Sequence, residues 1–301
     1  MRVVTIGNFD GVHHGHRVLV QRARSRANAV PGSRVVVVTF DPHPLRVLRP
    51  EAAPELLTTM PRRTELLLEA GADEVVVLPF TRELSGKSPE EFARLLRESP
   101  EIGADVVVVG ENFRFGKGAA GSTSMLSDLG SGLGFDVDAV PLVSEDTVLA
   151  GAVVCSSTYI RECIERGDMA AAAQALGRPH RVEGTVVRGD ARGRELGYPT
   201  ANVDVAAGLA IPPDGVYAGW LSARGERHPA AISIGTNPQF GGRERRVEAY
   251  VLDRDDLDLY DRHAALDLVV RLRGQEVFPS VADLQAQMAR DVAAARGILL
   301  G

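Results

Sequence analysis

The stretch Val3-Val4-Thr5-Ile6-Gly7-Asn8-Phe9-Asp10-Gly11-Val12-His13-His14-Gly15-His16 decides how the chain is read. An apolar, β-branched run leads into a glycine-rich turn, and an amphipathic stretch over 17–29 follows. The pattern predicts strand, turn and helix. Such a turn surrounds its occupant with free backbone N–H groups and the positive end of a helix, so an anion is the natural occupant. His13 falls at the turn and His16 just inside the helix. Both rings can face one phosphate, and neither carries a fixed charge near neutral pH. Gly15, between them, leaves the backbone room to approach it.

Similar apolar runs recur outward from this point, at 34–40, 74–78, 105–109 and 135–140, with helical stretches between them. Ser88-Pro89-Glu90-Glu91 opens one helix, with Ser88 as N-cap, Pro89 at the first helical position and Glu91 as capping-box partner. Continuous Val/Ile strands alternating with helices predict a doubly wound parallel sheet covered on both faces, an α/β fold. Ligands in such sheets gather at the C-terminal ends of the strands. The second run ends in Thr39-Phe40-Asp41-Pro42-His43-Pro44, a rigid loop with one histidine. The fourth ends in Val109-Gly110-Glu111-Asn112-Phe113-Arg114-Phe115-Gly116, whose amide, arginine and two aromatics could hold an adenine or flavin ring. Taken singly, Phe113 and Phe115 read as loop anchors on the core. Cys155-Ser156-Ser157-Thr158-Tyr159-Ile160-Arg161 then opens a helix with hydroxyls and an arginine, a set suited to phosphate. A short Ala-rich helix over 168–176 ends at Gly177-Arg178-Pro179, and the domain boundary is placed there, giving 1–178 and 179–301.

Beyond it the strands are shorter, alternate in polarity and lack intervening helices: 181–188, 215–222, 230–234, 246–252 and 266–273. That predicts a small antiparallel barrel, with a final helix over 280–296 packed outside it. The segment Gly189-Asp190-Ala191-Arg192-Gly193-Arg194-Glu195-Leu196-Gly197-Tyr198-Pro199-Thr200-Ala201-Asn202 carries the chemistry. Its Gly/Arg part suits a flap over phosphates. Thr200 and Asn202 lie two apart in an extended segment, so their side chains point the same way. Taken alone, the tetrapeptide reads first as a proline-led turn with two surface polar residues; both also offer neutral oxygens to a Mg²⁺ ion that takes oxygens from ATP.

Composition sets bounds. The chain has 301 residues and a formal charge of −6, with no long basic run, so bulk nucleic-acid binding is not indicated. Its only lysines are Lys87 and Lys117, so arginine or backbone must clamp any triphosphate. Cys155 and Cys163 make no disulfide framework or zinc pattern and read as reduced thiols of a cytoplasmic protein. The longest apolar runs are of strand length, too short to cross a bilayer. A homo-oligomer is left open.

Gly7-x-Phe9-Asp10-Gly11-x-His13-x-Gly15-His16 resembles the signature of nucleotidyltransferases that split ATP between its α- and β-phosphates. It looks most like the FMN adenylyltransferase half of prokaryotic bifunctional riboflavin kinase/FAD synthetases. The run 184–202, with Gly215-Val216-Tyr217-Ala218, Ser233-Ile234-Gly235-Thr236-Asn237-Pro238 and Val247-Glu248-Ala249-Tyr250, resembles riboflavin kinases in order and spacing. The likeness covers nearly the whole chain. It implies that the kinase makes FMN from riboflavin and ATP, and that the transferase half makes FAD and pyrophosphate from FMN and ATP. It also implies roles for single residues. His13 and His16 hold ATP phosphates and stabilise transition-state charge, with Gly7, Asn8, Phe9, Asp10, Gly11, Asn112, Ser157, Thr158 and Arg161 as further ATP or phosphate contacts. Phe40, His43, Phe113 and Phe115 are flavin or loop candidates. Arg188, Gly189, Arg192, Gly193 and Gly197 belong to the kinase flap, Thr200 and Asn202 to Mg²⁺. Glu248 is the general base for the riboflavin hydroxyl, a poor nucleophile until its proton is accepted. Asp261 stands where the family usually has glycine. Two other readings stay open: a chain with one live activity, or a flavin-sensing binding protein.

Overall fold

Valine spacing builds the first sheet. In the computed structural model, which describes residues 1–141, 155–189, 193, 196–236 and 245–301, β1 (Arg2–Ile6) is flanked by β2 (Arg34–Asp41) and by β4 (Val106–Gly110). The outer strands are β3 (Glu74–Pro79) and β5 (Asp136–Val140), the order is β3-β2-β1-β4-β5, and every pairing is parallel. Successive side chains alternate between faces. Val4, Ile6, Val36, Val38, Val107 and Val109 pack on one side with Phe92, Leu96 and Phe135. Val3, Val35, Val37, Val106 and Val108 pack on the other with Val20, Ala23, Leu66 and Leu67. Each such buried side chain contributes roughly 1.5–3 kcal/mol. The strand order reverses at β1/β4, and there the motif turn leaves β1 for α1 (His14–Asn28). In open α/β sheets that crevice is where ligands bind.

The connecting helices follow local rules. α2 (Pro44–Leu48) is capped by His43, and α3 (Met60–Glu69) by Thr59 with Pro61 in its first turn. The capping box predicted at Ser88 forms in full at α4 (Pro89–Glu98): Glu91 N–H donates to Ser88 Oγ (3.2 Å), and Ser88 N–H to Glu91 Oε2 (2.7 Å).

The second unit holds a closed antiparallel barrel, β10-β7-β6-β11-β8-β9, of β6 (His180–Val187), β7 (Thr200–Val205), β8 (Gly215–Ala223), β9 (Glu226–Gly235), β10 (Arg246–Val251) and β11 (His263–Gly274). Sequence reading finds five of these strands and takes 200–202 only as extended chain. Those residues form the sixth strand because barrel closure gives them partners on both sides, β6 and β10. The terminal helix Val281–Leu300 starts at Ser280, which accepts from Asp283 N–H (3.1 Å). Its Val292, Ala295 and Leu299 cover Ala218, Ala231, Tyr250, Val270 and Leu272. Asp261 has φ +58, the left-handed conformation that favours glycine.

Contacts divide the chain into Met1–Pro54 with Thr59–Ser156, and Glu55–Thr58 with Ser157–Gly301. The second unit therefore includes a short excursion from early in the chain. Leu56 N–H donates to Gly208 C=O (2.7 Å), Ala210 N–H to Leu56 C=O (2.8 Å), and Arg161 Nε to Glu55 C=O (2.6 Å). The helix Ser157–Arg166, with Ser157, Thr158 and Arg161 in its first turns, belongs to this unit.

Candidate active sites

The turn after β1 is tightly wound. Phe9 (φ +46), Gly11 (φ +83) and Val12 (φ +39) are all left-handed, an unusual state for a β-branched residue. Gly7 N–H donates to Val38 C=O (3.1 Å) and Val12 N–H to Phe9 C=O (3.0 Å), while Thr39 Oγ1 donates to Asn8 C=O (3.1 Å). Phe9 is fully buried, its ring meeting His16 edge-on at 5.1 Å. A side chain on Gly7 would press on that ring at 3.3 Å.

His13 caps α1, its Nδ1 accepting from His16 N–H (3.4 Å). A backbone N–H can only donate, so the proton of the neutral His13 ring sits on Nε2. The His13 and His16 rings stack with centroids 3.6 Å apart. Gly15 makes room for this fold: a Cβ there would lie 3.3 Å from His13 Cε1. His16 Nδ1 is buried and has no hydrogen-bond partner among the described residues. Burial, then the neighbouring His13, then Arg63 hold the His16 pKa well below its ordinary value, so its ring is neutral.

Sequence reading missed Arg63. It lies on the apolar face of α3, three and four residues before the buried Leu66 and Leu67. A charged residue at such a position is the signal that could have found it. Its Nη2 donates to Asp10 Oδ1 (3.1 Å), and both side chains are 2% exposed.

The other strand-end loops place their candidates variously. His43 Nδ1 accepts from Leu45 N–H (3.2 Å), and its Nε2 lies 3.5 Å from Asn8 Nδ2. Phe40 packs edge-on to Phe80. Phe115 is 5% exposed, stacked between Phe113 and Phe92 and pressed on Gly121, so it anchors its loop. Asn112 is exposed and folds back over Gly110.

In the barrel unit, antiparallel register sets Glu248 opposite Asn202 and Tyr250 opposite Thr200. Paired residues share a face, so these four side chains stand together on the face that carries Tyr250 against the terminal helix. Thr200 Oγ1 lies 3.3 Å from Glu248 Oε2. Asn202 Oδ1 is buried without a hydrogen-bond partner among the described residues. A hydroxyl, a carboxylate and an orphaned amide oxygen make an all-oxygen donor set, which fits Mg²⁺. No group of three or more His, Cys, Asp or Glu suited to a metal occurs among the described residues.

The flap glycines are needed for close approach. A Cβ on Gly189 would sit 2.3 Å from Asn202 Nδ2, and one on Gly193 2.4 Å from Tyr198 C=O. Gly197 has φ +86. Arg188 lies over the Tyr260 ring at 5.0 Å. Arg192 and the motif residues Asn237 and Pro238 lie outside the described residues. Beside Thr200 opens a cavity lined by Val186, Pro199, Ala201, Val251, Leu259 and Tyr260. Thr200, Arg254 and Asp255 add polar groups to its apolar wall, a mixed lining that suits a flat polar ring.

Among the described residues, no helix is long and apolar enough to cross a membrane. Residues 1–157 match the FAD synthetase family model, and residues 176–299 the riboflavin kinase model. The bifunctional riboflavin kinase/FMN adenylyltransferase of Escherichia coli (strain K12) is 36% identical over 297 residues, covering 98% of this chain and 91% of that protein. Those of Pseudomonas fluorescens and Bacillus subtilis (strain 168) are 35% and 30% identical over 98% and 96% of this chain, and 92% and 90% of their own lengths. A crystal structure described as a macrolide-efflux protein from Streptococcus pneumoniae is similar at TM-score 0.85 and 30% identity, covering 98% of this chain and 93% of that one. With both family models in sequence, and relatives matched almost end to end, the chain belongs to the bifunctional riboflavin kinase/FMN adenylyltransferase family.

Proposed function

We propose that the chain phosphorylates riboflavin with ATP to give FMN, and then joins FMN to AMP to give FAD and pyrophosphate. We assign the transferase to 1–178 and the kinase to 179–301, acting in the cytosol with Cys155 and Cys163 as reduced thiols.

At the barrel, Glu248 accepts the proton of the ribityl 5′-hydroxyl as that oxygen attacks the γ-phosphorus of ATP and ADP leaves. Phosphoryl transfer otherwise needs alignment and charge neutralisation. Thr200 and Asn202 would hold Mg²⁺, which when bound neutralises charge on the ATP phosphates. The cavity beside Thr200 takes the adenine ring. Gly189 lies against Asn202, and Gly193 against Tyr198 and Thr200, where a larger residue would not fit.

The transferase works on a different acceptor. An oxygen of the FMN phosphate attacks the α-phosphorus of ATP, the bond to the β-phosphate oxygen breaks, and pyrophosphate leaves. That nucleophile is already an anion and needs no base. His13 donates from Nε2, His16 stacks against it, and the α1 N-terminus adds backbone donors where charge develops. Asn8 and Asn112 complete the ATP contacts within the first unit, and His43 with Phe113 the flavin side.

One observation carries this reading: each unit presents the polar group its reaction needs. The motif carboxylate, Asp10, is buried against Arg63, whereas Glu248 stands beside Thr200 and opposite Asn202. The test is to give the purified protein riboflavin, ATP and Mg²⁺ and resolve the flavins by chromatography. FMN should form first, then FAD. Glu248→Ala should stop FMN formation but still convert supplied FMN to FAD, and His13→Ala with His16→Ala should do the reverse. A folded variant that lost both activities would refute the two-site assignment.

A further inference from the structure

Arg63 is the largest fully buried side chain among the described residues. Burying a guanidinium costs several kcal/mol unless a carboxylate is matched to it, and an apolar pair of similar volume often serves stability as well. Stability alone therefore gives little reason for an arginine here. Its placement gives a better one. Arg63 reaches from α3 to Asp10, which sits between Phe9 and Gly11. Left-handed backbone thus flanks Asp10 on both sides, and Val12 continues it. Non-glycine residues hold such conformations only where their surroundings over-determine them. The next residue, His13, caps α1 and stacks on His16.

The geometry points to Arg63 as a positioning residue for adenylyl transfer: through Asp10 it clamps the left-handed turn that sets the His13/His16 stack against the phosphates. This rests on the reading of that turn as the transferase site. Arg63 touches no reacting atom, and its effect passes through the backbone of 9–12 to the two rings. An identical pair of histidines on a slack turn would hold the triphosphate out of line. Arg63 is also among the charges that oppose a proton on His16, after burial and His13.

The full-length protein is given FMN, ATP and Mg²⁺, and FAD is followed by chromatography. Arg63→Met is expected to lower kcat about 30–100-fold, the scale set by a misplacement of about 1 Å, while KM for ATP moves less than about threefold. Arg63→Lys should recover part of the lost kcat, because an ammonium keeps the charge but not the fork. Riboflavin kinase activity of the same samples should be unchanged, which reports that the barrel unit is folded, and a thermal melt reports on the first unit. Should Arg63→Met unfold the first unit, Asp10→Asn combined with Arg63→Met removes both buried charges, and the folded double variant should still show the kcat loss. A kcat within about twofold of wild type in the folded Met or double variant overturns the clamp. So does a rise in KM at unchanged kcat, which would make Arg63 a ground-state binding residue. Retention of FAD synthesis by His13→Ala with His16→Ala would instead overturn the assignment of the turn, and the two failures are thereby told apart.

Discussion

One methyl group at Gly189 tests the kinase site. Its carbon would lie 2.3 Å from Asn202 Nδ2, far inside contact distance. Gly189→Ala is therefore expected to lower FMN formation about tenfold or more, equivalent to at least about 1.4 kcal/mol in the barrier. FAD synthesis from supplied FMN serves as the control. His16 gives a pH prediction. The folded ring resists a proton, chiefly through burial, then through His13 and Arg63, whereas the unfolded ring takes one below about pH 6.5. The unfolded state then binds more protons. The contribution is favourable above that pH and is lost as pH falls from about 6.5 toward the depressed folded value. Thermal melts of the first unit should show this slope, and His16→Gln should flatten it. These residues differ in legibility. The histidine pair is written in ten consecutive letters, and Glu248, Thr200 and Asn202 in short motifs. The Arg63–Asp10 pair spans 53 positions, and no local pattern joins its ends.

Among the elements, the terminal helix carries one largely buried polar lock, beside the exposed Arg296–Asp253 pair. Arg273 of β11 donates from Nε and Nη2 to Asp291 (2.8–3.0 Å), and Gln287 Nε2 adds a further bond (2.8 Å). Asp291→Ala leaves a largely buried guanidinium without its counter-charge, at a cost of about 3–5 kcal/mol. Chemical denaturation followed by kinase activity should show this as an earlier midpoint. Ser88→Ala, by comparison, removes only a cap, and should cost about 1 kcal/mol in the first unit. The elements were legible to the extent that they follow local chemistry. Five valine-rich strands, the Ser88 box and the Ala-rich helix between Asp168 and Gly177 could all be read directly. The strand Thr200–Val205 could not, because its polar alternation and the Pro/Gly flap before it resemble loop. Only its pairing with two neighbours in a closed barrel makes it a strand.

For the whole molecule, the division into units is not a division of the chain into two pieces. Residues 55–58 belong with the barrel. A fragment 157–301 would lack the bonds that Leu56 and Glu55 make to Gly208, Ala210 and Arg161. At about 1 kcal/mol per bond, roughly 2–3 kcal/mol is lost. Its melting temperature should fall by several degrees below that of the kinase unit in the intact chain. A fragment that melts with the intact chain would show that the excursion is dispensable.

The same excursion has a consequence during synthesis. Leu56 leaves the ribosome some 150 residues ahead of Gly208, the residue whose carbonyl it meets. At about 5–20 residues per second, that early segment waits on the order of 10–30 s for its partner. The α/β sheet can close around its own valines in that interval, but the second unit is complete only when a nascent loop captures a piece of chain translated long before.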